Sequence, residues 1–111
     1  MNIEVLKKQI IERLMPLNPY KVIIFGSYAL GTHNQDSDID LYVVTNDDYI
    51  PSDYKQSWEI KGKVYKALQD IRLEIPIDVI VHTKIMYNEF QKRDSSFAKD
   101  ILTKGIILYG E

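Results

Sequence analysis

The stretch KVIIFGSYALGTHNQDSDIDLYVV, residues 21–44, decides the fold of this chain. It opens with Lys21–Phe25, a short run rich in β-branched residues that is closed by Gly26 and predicts a buried strand. It ends with Asp38–Val44, where apolar side chains alternate with others at the period of a strand. Between them, Ser27–Leu30 predicts one or two helical turns followed by a polar loop. The stretch therefore predicts two strands joined through a glycine and a short helix.

The flanking sequence adds helices and further strands. Apolar residues at helical spacing predict an N-terminal helix that is ended by two prolines, and a long helix over about Tyr54–Leu73. The remaining segments predict a strand at Ile77–Val81, a helix at Lys84–Lys92, a helix capped by Asp94 and ended by Gly105, and a strand at Ile106–Tyr109. Together they predict an α/β (α+β) fold, namely a small mixed β-sheet with helices packed on one side.

Length and composition exclude several classes of protein. The 111 residues have room for one domain, residues 1–111, since a domain usually takes ~100–200 residues. A hydrophobic content of 45% excludes a disordered chain, and a net charge of −2 argues against direct nucleic-acid binding. The lack of cysteine excludes disulfides and thiolate zinc sites and agrees with a cytoplasmic location. No apolar stretch reaches the ~18 residues of a membrane span, so no membrane partner is expected.

Three carboxylates lie on strands that are otherwise apolar. Asp38 and Asp40 are two residues apart and project from one face of their strand, about 7 Å apart. Asp78 interrupts the apolar strand Ile77–Val81, a run whose composition predicts burial. Three like charges converging in a sheet would repel each other, and hard divalent cations such as Mg²⁺ remove that repulsion. The carboxylates therefore predict a magnesium site, with two ions clamping the oxygens of an in-line displacement.

A phosphate-binding loop is predicted only about a dozen residues before these carboxylates. Gly26 and Ser27 follow a strand and open a helical turn. Glycine lets a phosphate approach the backbone closely, the exposed N–H groups at a helix start attract anions, and the serine hydroxyl adds a donor. A phosphate loop next to metal-binding carboxylates is what phosphoryl transfer requires.

These motifs resemble those of a known family. The run Gly26-Ser27-Tyr28-Ala29-Leu30-Gly31, followed by Ser37-Asp38-Ile39-Asp40-Leu41 and by Asp78 on a later strand, is similar to the polymerase-β-type nucleotidyltransferase superfamily. The resemblance is strongest to the minimal nucleotidyltransferases (MNT), which consist of the catalytic domain alone. It covers nearly the whole chain.

The resemblance implies an activity and a role for each residue. The expected reaction is Mg²⁺-dependent transfer of a nucleoside monophosphate, AMP if the donor is ATP rather than another NTP, to an acceptor hydroxyl. Asp38 and Asp40 are expected to bind both metal ions. Asp78 is expected to bind one of them and to help deprotonate the acceptor. Gly26 and Ser27 are expected to bind the β- and γ-phosphates.

The resemblance also implies a partner. Family members of this size commonly pair with a small helical HEPN protein in a toxin–antitoxin module. The transferase is thought to adenylylate a tyrosine of the toxin and so to silence it. We therefore expect a HEPN-type partner, and the chain is also compatible with a homo-oligomer.

Alternatives remain open at this stage. The chain could modify an antibiotic as a homodimer, or it could neutralise its partner by contact alone. The second alternative is kept open by Leu30, which stands where the family often has a basic residue. At the level of single residues, Ser27 could be a helix N-cap, and Asp78 could form a core ion pair with Arg72 or a lysine.

Overall fold

The computed structural model describes residues 2–110 of the chain. In chain order, the elements are α1 (Ile3–Leu14), a 3₁₀ turn (Met15–Leu17), β1 (Lys21–Phe25), α2 (Ser27–Leu30), β2 (Ile39–Thr45), α3 (Tyr54–Ala67), α4 (Gln69–Arg72), β3 (Ile77–Thr83), α5 (Lys84–Lys92), α6 (Ser96–Lys104) and β4 (Ile106–Tyr109). The predicted mixed α/β fold is thus confirmed. No helix in this range is long and apolar enough to cross a membrane.

The four strands form one mixed sheet in the order β3-β2-β1-β4. β1 pairs antiparallel with both β2 and β4, whereas β2 and β3 run parallel. The chain passes from β2 to β3 through α3 and α4, as a parallel pair requires a long crossover. This topology makes β3 an edge strand and places β2, which carries Asp40, between β3 and β1.

Helices cover both faces of the sheet, so the prediction that they pack on one side is wrong. On one face, Val22 and Ile24 of β1 belong to a buried cluster with residues of α1, α3 and α4. On the other face, Ile23 of β1 and Tyr42 of β2 belong to a second cluster with residues of α5 and α6. The reason lies in β1, where successive apolar residues point to opposite faces and both faces therefore need cover.

Two helix boundaries also differ from their predictions. The long helix ends at Ala67, because Leu68 leaves helical geometry (φ −96°, ψ 6°) and α4 follows as a separate turn. The last helix is capped by Ser95, whose hydroxyl accepts from the backbone N–H of Ala98 at 3.1 Å. Asp94, the predicted cap, instead forms an exposed ion pair with Lys99. Serine at the neighbouring position performs the same capping chemistry.

Candidate active site

The parallel pairing of β2 and β3 brings two of the predicted carboxylates together. Asp40 and Asp78 occupy the same register position on the two strands, directly beside each other. Asp38 precedes β2 by one residue, at the spacing that gives it the same side of the strand as Asp40. All three aspartates therefore lie at the start of β2 and β3.

The three carboxylates differ in burial. Asp40 is half-buried, whereas Asp38 and Asp78 are exposed. The alternative that Asp78 is a core carboxylate is therefore wrong, since Asp78 is exposed on the edge strand β3. Within residues 2–110, none of the three forms an ion pair or a side-chain hydrogen bond, and Asp78 is not paired with Arg72.

Electrostatics at Asp40 show that the carboxylates lie near each other. The pKa of Asp40 is raised above its ordinary value, first by burial and then by the negative charges of Asp78 and Asp38. Burial and like charge both disfavour the ionised carboxyl group. The electrostatic potential at the start of β2 is therefore negative, and a bound cation would neutralise it.

Gly26 allows the backbone at the end of β1 to lie close to the Asp40 carboxylate. Phe25 is paired with Asp40 across β1 and β2, and Gly26 follows with a φ of +72°, a conformation that favours glycine. A Cβ at position 26 would collide with the Asp40 carboxylate. The glycine thus keeps open the space above this carboxylate, where a bulkier residue would fill it.

Ser27 is the first residue of α2 and does not cap it. Gly26 occupies the N-cap position, and α2 has no side-chain cap. Within the described part of the chain, the Ser27 hydroxyl has no hydrogen-bond partner. The alternative that Ser27 is a helix N-cap is therefore wrong, and the hydroxyl is available to a ligand.

An open cavity of about 370 Å³ lies beside Asp40 and Asp78, and we call it the acidic cleft. It is lined by Phe25, Asp40, Tyr65, Arg72, Ile77, Asp78, Val79, Ile80 and Phe97. Sequence reasoning did not connect Tyr65 or Phe97 with the carboxylates, because each comes from a helix that only the tertiary fold brings there. Arg72 was considered only as an ion-pair partner.

The donor set suits a hard divalent cation. Across residues 2–110, no three His, Cys, Asp or Glu side chains are grouped closely enough to form a complete metal site. Asp40 and Asp78 nevertheless offer oxygen ligands that no described cation neutralises, and the charge of Asp38 reaches Asp40. Carboxylate oxygens and remaining waters are what Mg²⁺ takes in proteins. The residues therefore fit a hard divalent cation.

Comparison with known protein families decides the classification. The family model of the polymerase beta nucleotidyltransferases matches residues 8–111. The chain belongs to the polymerase beta nucleotidyltransferase family. This confirms the resemblance inferred from the glycine-serine and aspartate motifs, and it makes the protein a nucleotidyltransferase.

Individual relatives agree with this classification. The nucleotidyltransferase is 33% identical over 89 residues to MJ0604 of Methanocaldococcus jannaschii, whose protein adenylyltransferase activity is itself inferred, and the match covers 80% of this chain and 77% of MJ0604. A chain of a toxin–antitoxin crystal structure with AMP-PNP is 25% identical, with a TM-score of 0.55 over 95% of this chain and 73% of that one.

A third relative shares the fold. A chain in the structure of a tri-AMPylated HEPN toxin from Shewanella oneidensis in complex with MNT antitoxin is 22% identical. It superposes with a TM-score of 0.51 over 97% of this nucleotidyltransferase and 72% of that chain.

Proposed function

We propose that this nucleotidyltransferase, as one domain over residues 1–111, transfers AMP from ATP to a tyrosine hydroxyl of a helical HEPN-type toxin and so acts as its antitoxin. The observation that carries the proposal is the in-register pair Asp40–Asp78, which lies next to the open Gly26 turn. The proposed phosphate loop thereby lies against Asp40, which lines an exposed cleft together with Asp78. Phosphoryl transfer uses a phosphate loop beside such carboxylates.

Each residue has a role in this proposal. Gly26 and Ser27 bind the β- and γ-phosphates, Asp38 and Asp40 bind two Mg²⁺ ions, and Asp78 binds one of them. Mg²⁺, when bound, neutralises the charge that the carboxylates and phosphates share. The Ser27 hydroxyl and the backbone at Gly26 orient the triphosphate so that its α-phosphorus faces the acceptor.

The transfer step is a displacement at phosphorus. The tyrosine oxygen forms a bond to the α-phosphorus, while the bond from that phosphorus to the oxygen bridging to the β-phosphate breaks and pyrophosphate leaves. Asp78 accepts the hydroxyl proton, since its exposed carboxylate has no described partner to compete for it.

The nature of the acceptor is supported by the relatives. MJ0604 is named for transfer of adenylyl groups to protein, and the relative studied with AMP-PNP belongs to a toxin–antitoxin complex. The Shewanella oneidensis complex contains a HEPN toxin that is AMPylated. A protein acceptor also agrees with the cleft, which is open to a side chain presented by another protein.

The test is co-expression with the protein encoded by the adjacent gene, followed by mass spectrometry of that protein. We expect adenylyl groups on tyrosine that disappear in the Asp38→Asn variant, whereas Asp36→Asn, in the exposed loop before it, keeps them. A partner that stays unmodified and is still inhibited would contradict the proposal in favour of binding without catalysis. Modification of an aminoglycoside would instead indicate the antibiotic-modifying class.

A further inference from the structure

Aromatic side chains line the acidic cleft from both faces of the sheet, and the roles proposed above do not use them. Tyr65 comes from α3 on one face, and Phe97 comes from α6 on the other. Phe97 packs edge-on against Phe25, with ring centroids 6.0 Å apart, and is still 52% exposed. The cleft therefore offers apolar ring surface on either side of its carboxylates, and another aromatic ring would cover it.

Arg72 adds a cation to this wall. Its guanidinium lies 5.0 Å from the centroid of the Tyr65 ring, which fixes the side chain by a cation–π contact. In the described part of the chain it forms no ion pair, and it is the cation among the residues that line the acidic cleft. Its N–H donors are thus directed to no protein acceptor and are available to a ligand.

The strand order separates Arg72 from the phosphate loop. β1, which leads into Gly26 and Ser27, lies on one side of β2, and β3 lies on the other. Arg72 ends α4 before β3, and it lines a second, adjacent cavity together with Asp78. Arg72 is therefore on the side of the proposed proton acceptor Asp78, across Asp40 from the proposed triphosphate site.

We propose that Tyr65, Arg72 and Phe97 form the acceptor subsite, which takes a tyrosine ring and in which Arg72 donates a hydrogen bond to the tyrosine oxygen. This inference rests on the proposed function and adds to it the residues that select an aromatic hydroxyl. A phenol has a pKa of ~10 and is a poor nucleophile at neutral pH. A guanidinium beside it stabilises the oxygen as its proton moves to Asp78.

The experiment separates acceptor binding from nucleotide binding. Binding of N-acetyltyrosinamide to the full chain with Mg²⁺ and AMP-PNP is measured by saturation-transfer NMR, and AMP-PNP binding is measured by calorimetry. We expect Arg72→Gln to weaken N-acetyltyrosinamide binding about tenfold, as befits a lost hydrogen bond to a charged group. Binding of N-acetylphenylalaninamide, which lacks the hydroxyl, and of AMP-PNP should stay unchanged.

Further variants distinguish a specific role from a structural one. Phe97→Leu should weaken both amides equally, whereas Lys66→Gln, an exposed cation on α3 outside the cleft, should change neither. With ATP and N-acetyltyrosinamide, the rate deficit of Arg72→Gln should shrink as the pH rises towards ~10, because the phenol then ionises without help.

Three results would overturn the inference. The first is an Arg72→Gln variant that loses AMP-PNP binding and keeps N-acetyltyrosinamide binding. The second is a Lys66→Gln variant that weakens N-acetyltyrosinamide binding as much as Arg72→Gln does. The third is a wild-type protein that does not bind N-acetyltyrosinamide. If binding follows the expectation and no AMP is transferred to tyrosine, the acceptor subsite is supported and the proposed transfer alone fails.

Discussion

At the scale of single residues, Asp40 is half-buried beside two other carboxylates and has no described cation next to it. Its raised pKa means that the folded chain binds a proton at this group more tightly than the unfolded chain does. The ionised carboxylate therefore destabilises the fold at every pH above the folded pKa, and this effect is absent below the unfolded pKa. Metal binding thus requires the ionised Asp40 carboxylate, whereas the metal-free fold is more stable when this group is protonated.

The double variant Asp38→Asn/Asp40→Asn tests this conflict. We expect Mg²⁺-dependent AMP transfer to be abolished, while the metal-free protein at pH 7 unfolds at the same or a higher temperature, because like-charge repulsion is removed. Thermal unfolding in EDTA at pH 7 and pH 3 measures the second effect, which should vanish at the lower pH. The Asp36→Asn variant is the control. Unfolding of the double variant, or activity in it, would contradict the assignment of these residues.

Gly26 and Gly31 form a matched pair for a second prediction. Both have a positive φ, +72° and +74°, so an alanine is strained in either position. A Cβ at Gly31 meets nothing within 4 Å, whereas at Gly26 it collides with the Asp40 carboxylate. We expect Gly31→Ala to cost about 1 kcal/mol of unfolding free energy, with nucleotide affinity unchanged.

Gly26→Ala should cost more and should also weaken Mg²⁺–ATP binding, because Asp40 has to move. Denaturant unfolding and calorimetry measure the two effects. Equal stability and equal affinity in both variants would contradict the close approach of Gly26 to Asp40.

At the scale of elements, β2 and β3 share a partly buried polar contact on the face that α5 covers. Tyr42 and His82 lie 2.7 Å apart, from hydroxyl to Nδ1. The pKa of Tyr42 is raised by burial and by Tyr87, so its hydroxyl keeps its proton and donates. The pKa of His82 is lowered to about 4, mainly by burial and further by the charges of Arg93 and Lys61.

This contact predicts a pH dependence of stability. Below pH ~6.5 the unfolded chain binds a proton at His82, whereas the folded chain does not bind it until about pH 4. The free energy of unfolding therefore decreases as the pH falls from ~6.5 to about 4. Denaturant unfolding between pH 7 and pH 4 measures the slope. It should be reduced in His82→Phe and kept in His33→Asn, which changes an exposed histidine. Identical slopes would contradict a neutral buried His82.

Local patterns in the sequence were sufficient to predict most elements, and tertiary packing decided the rest. β1 and α5 begin and end where predicted, because apolar runs and helical periodicity are local signals. The break at Leu68 has no proline or glycine to mark it. The apolar run of β1 indicates that both faces of the sheet need cover, but which helices supply it depends on the packing of α5 and α6 against β1 and β2.

For the candidate site, too, the sequence indicated the residues but not their surroundings in the fold. Gly26, Ser27, Asp38, Asp40 and Asp78 could be selected because their residue types and spacing suit one chemistry. Asp78 is exposed on the edge strand β3, and the place of β3 in the sheet depends on a strand order that local patterns do not reveal. The roles proposed for Arg72 and Phe97 depend on helices far apart in the sequence and could not be inferred before the fold was known.

At the scale of the whole molecule, β1 and β2 contribute to both apolar clusters, so each strand is clamped between two layers of helices. If the helices leave either cluster, one face of both β1 and β2 becomes exposed. We infer that the two clusters unfold together. Ile39 and Val43 of β2 pack in one cluster with their register partners on β3, Ile77 and Val81, and this packing supports the pairing of Asp40 with Asp78.

Two cavity-forming variants test this coupling. Ile10→Ala removes buried side-chain volume from the cluster under α1, and Ile101→Ala removes it from the cluster under α6. Each should lower the unfolding free energy by about 2–5 kcal/mol, with one transition by both circular dichroism and tyrosine fluorescence. Val5→Ala, an exposed position on α1, serves as the control. If Ile101→Ala instead produced a second, earlier transition, the face formed by α5 and α6 would unfold separately, and Asp40, which lies on that face, would lose its fixed geometry first.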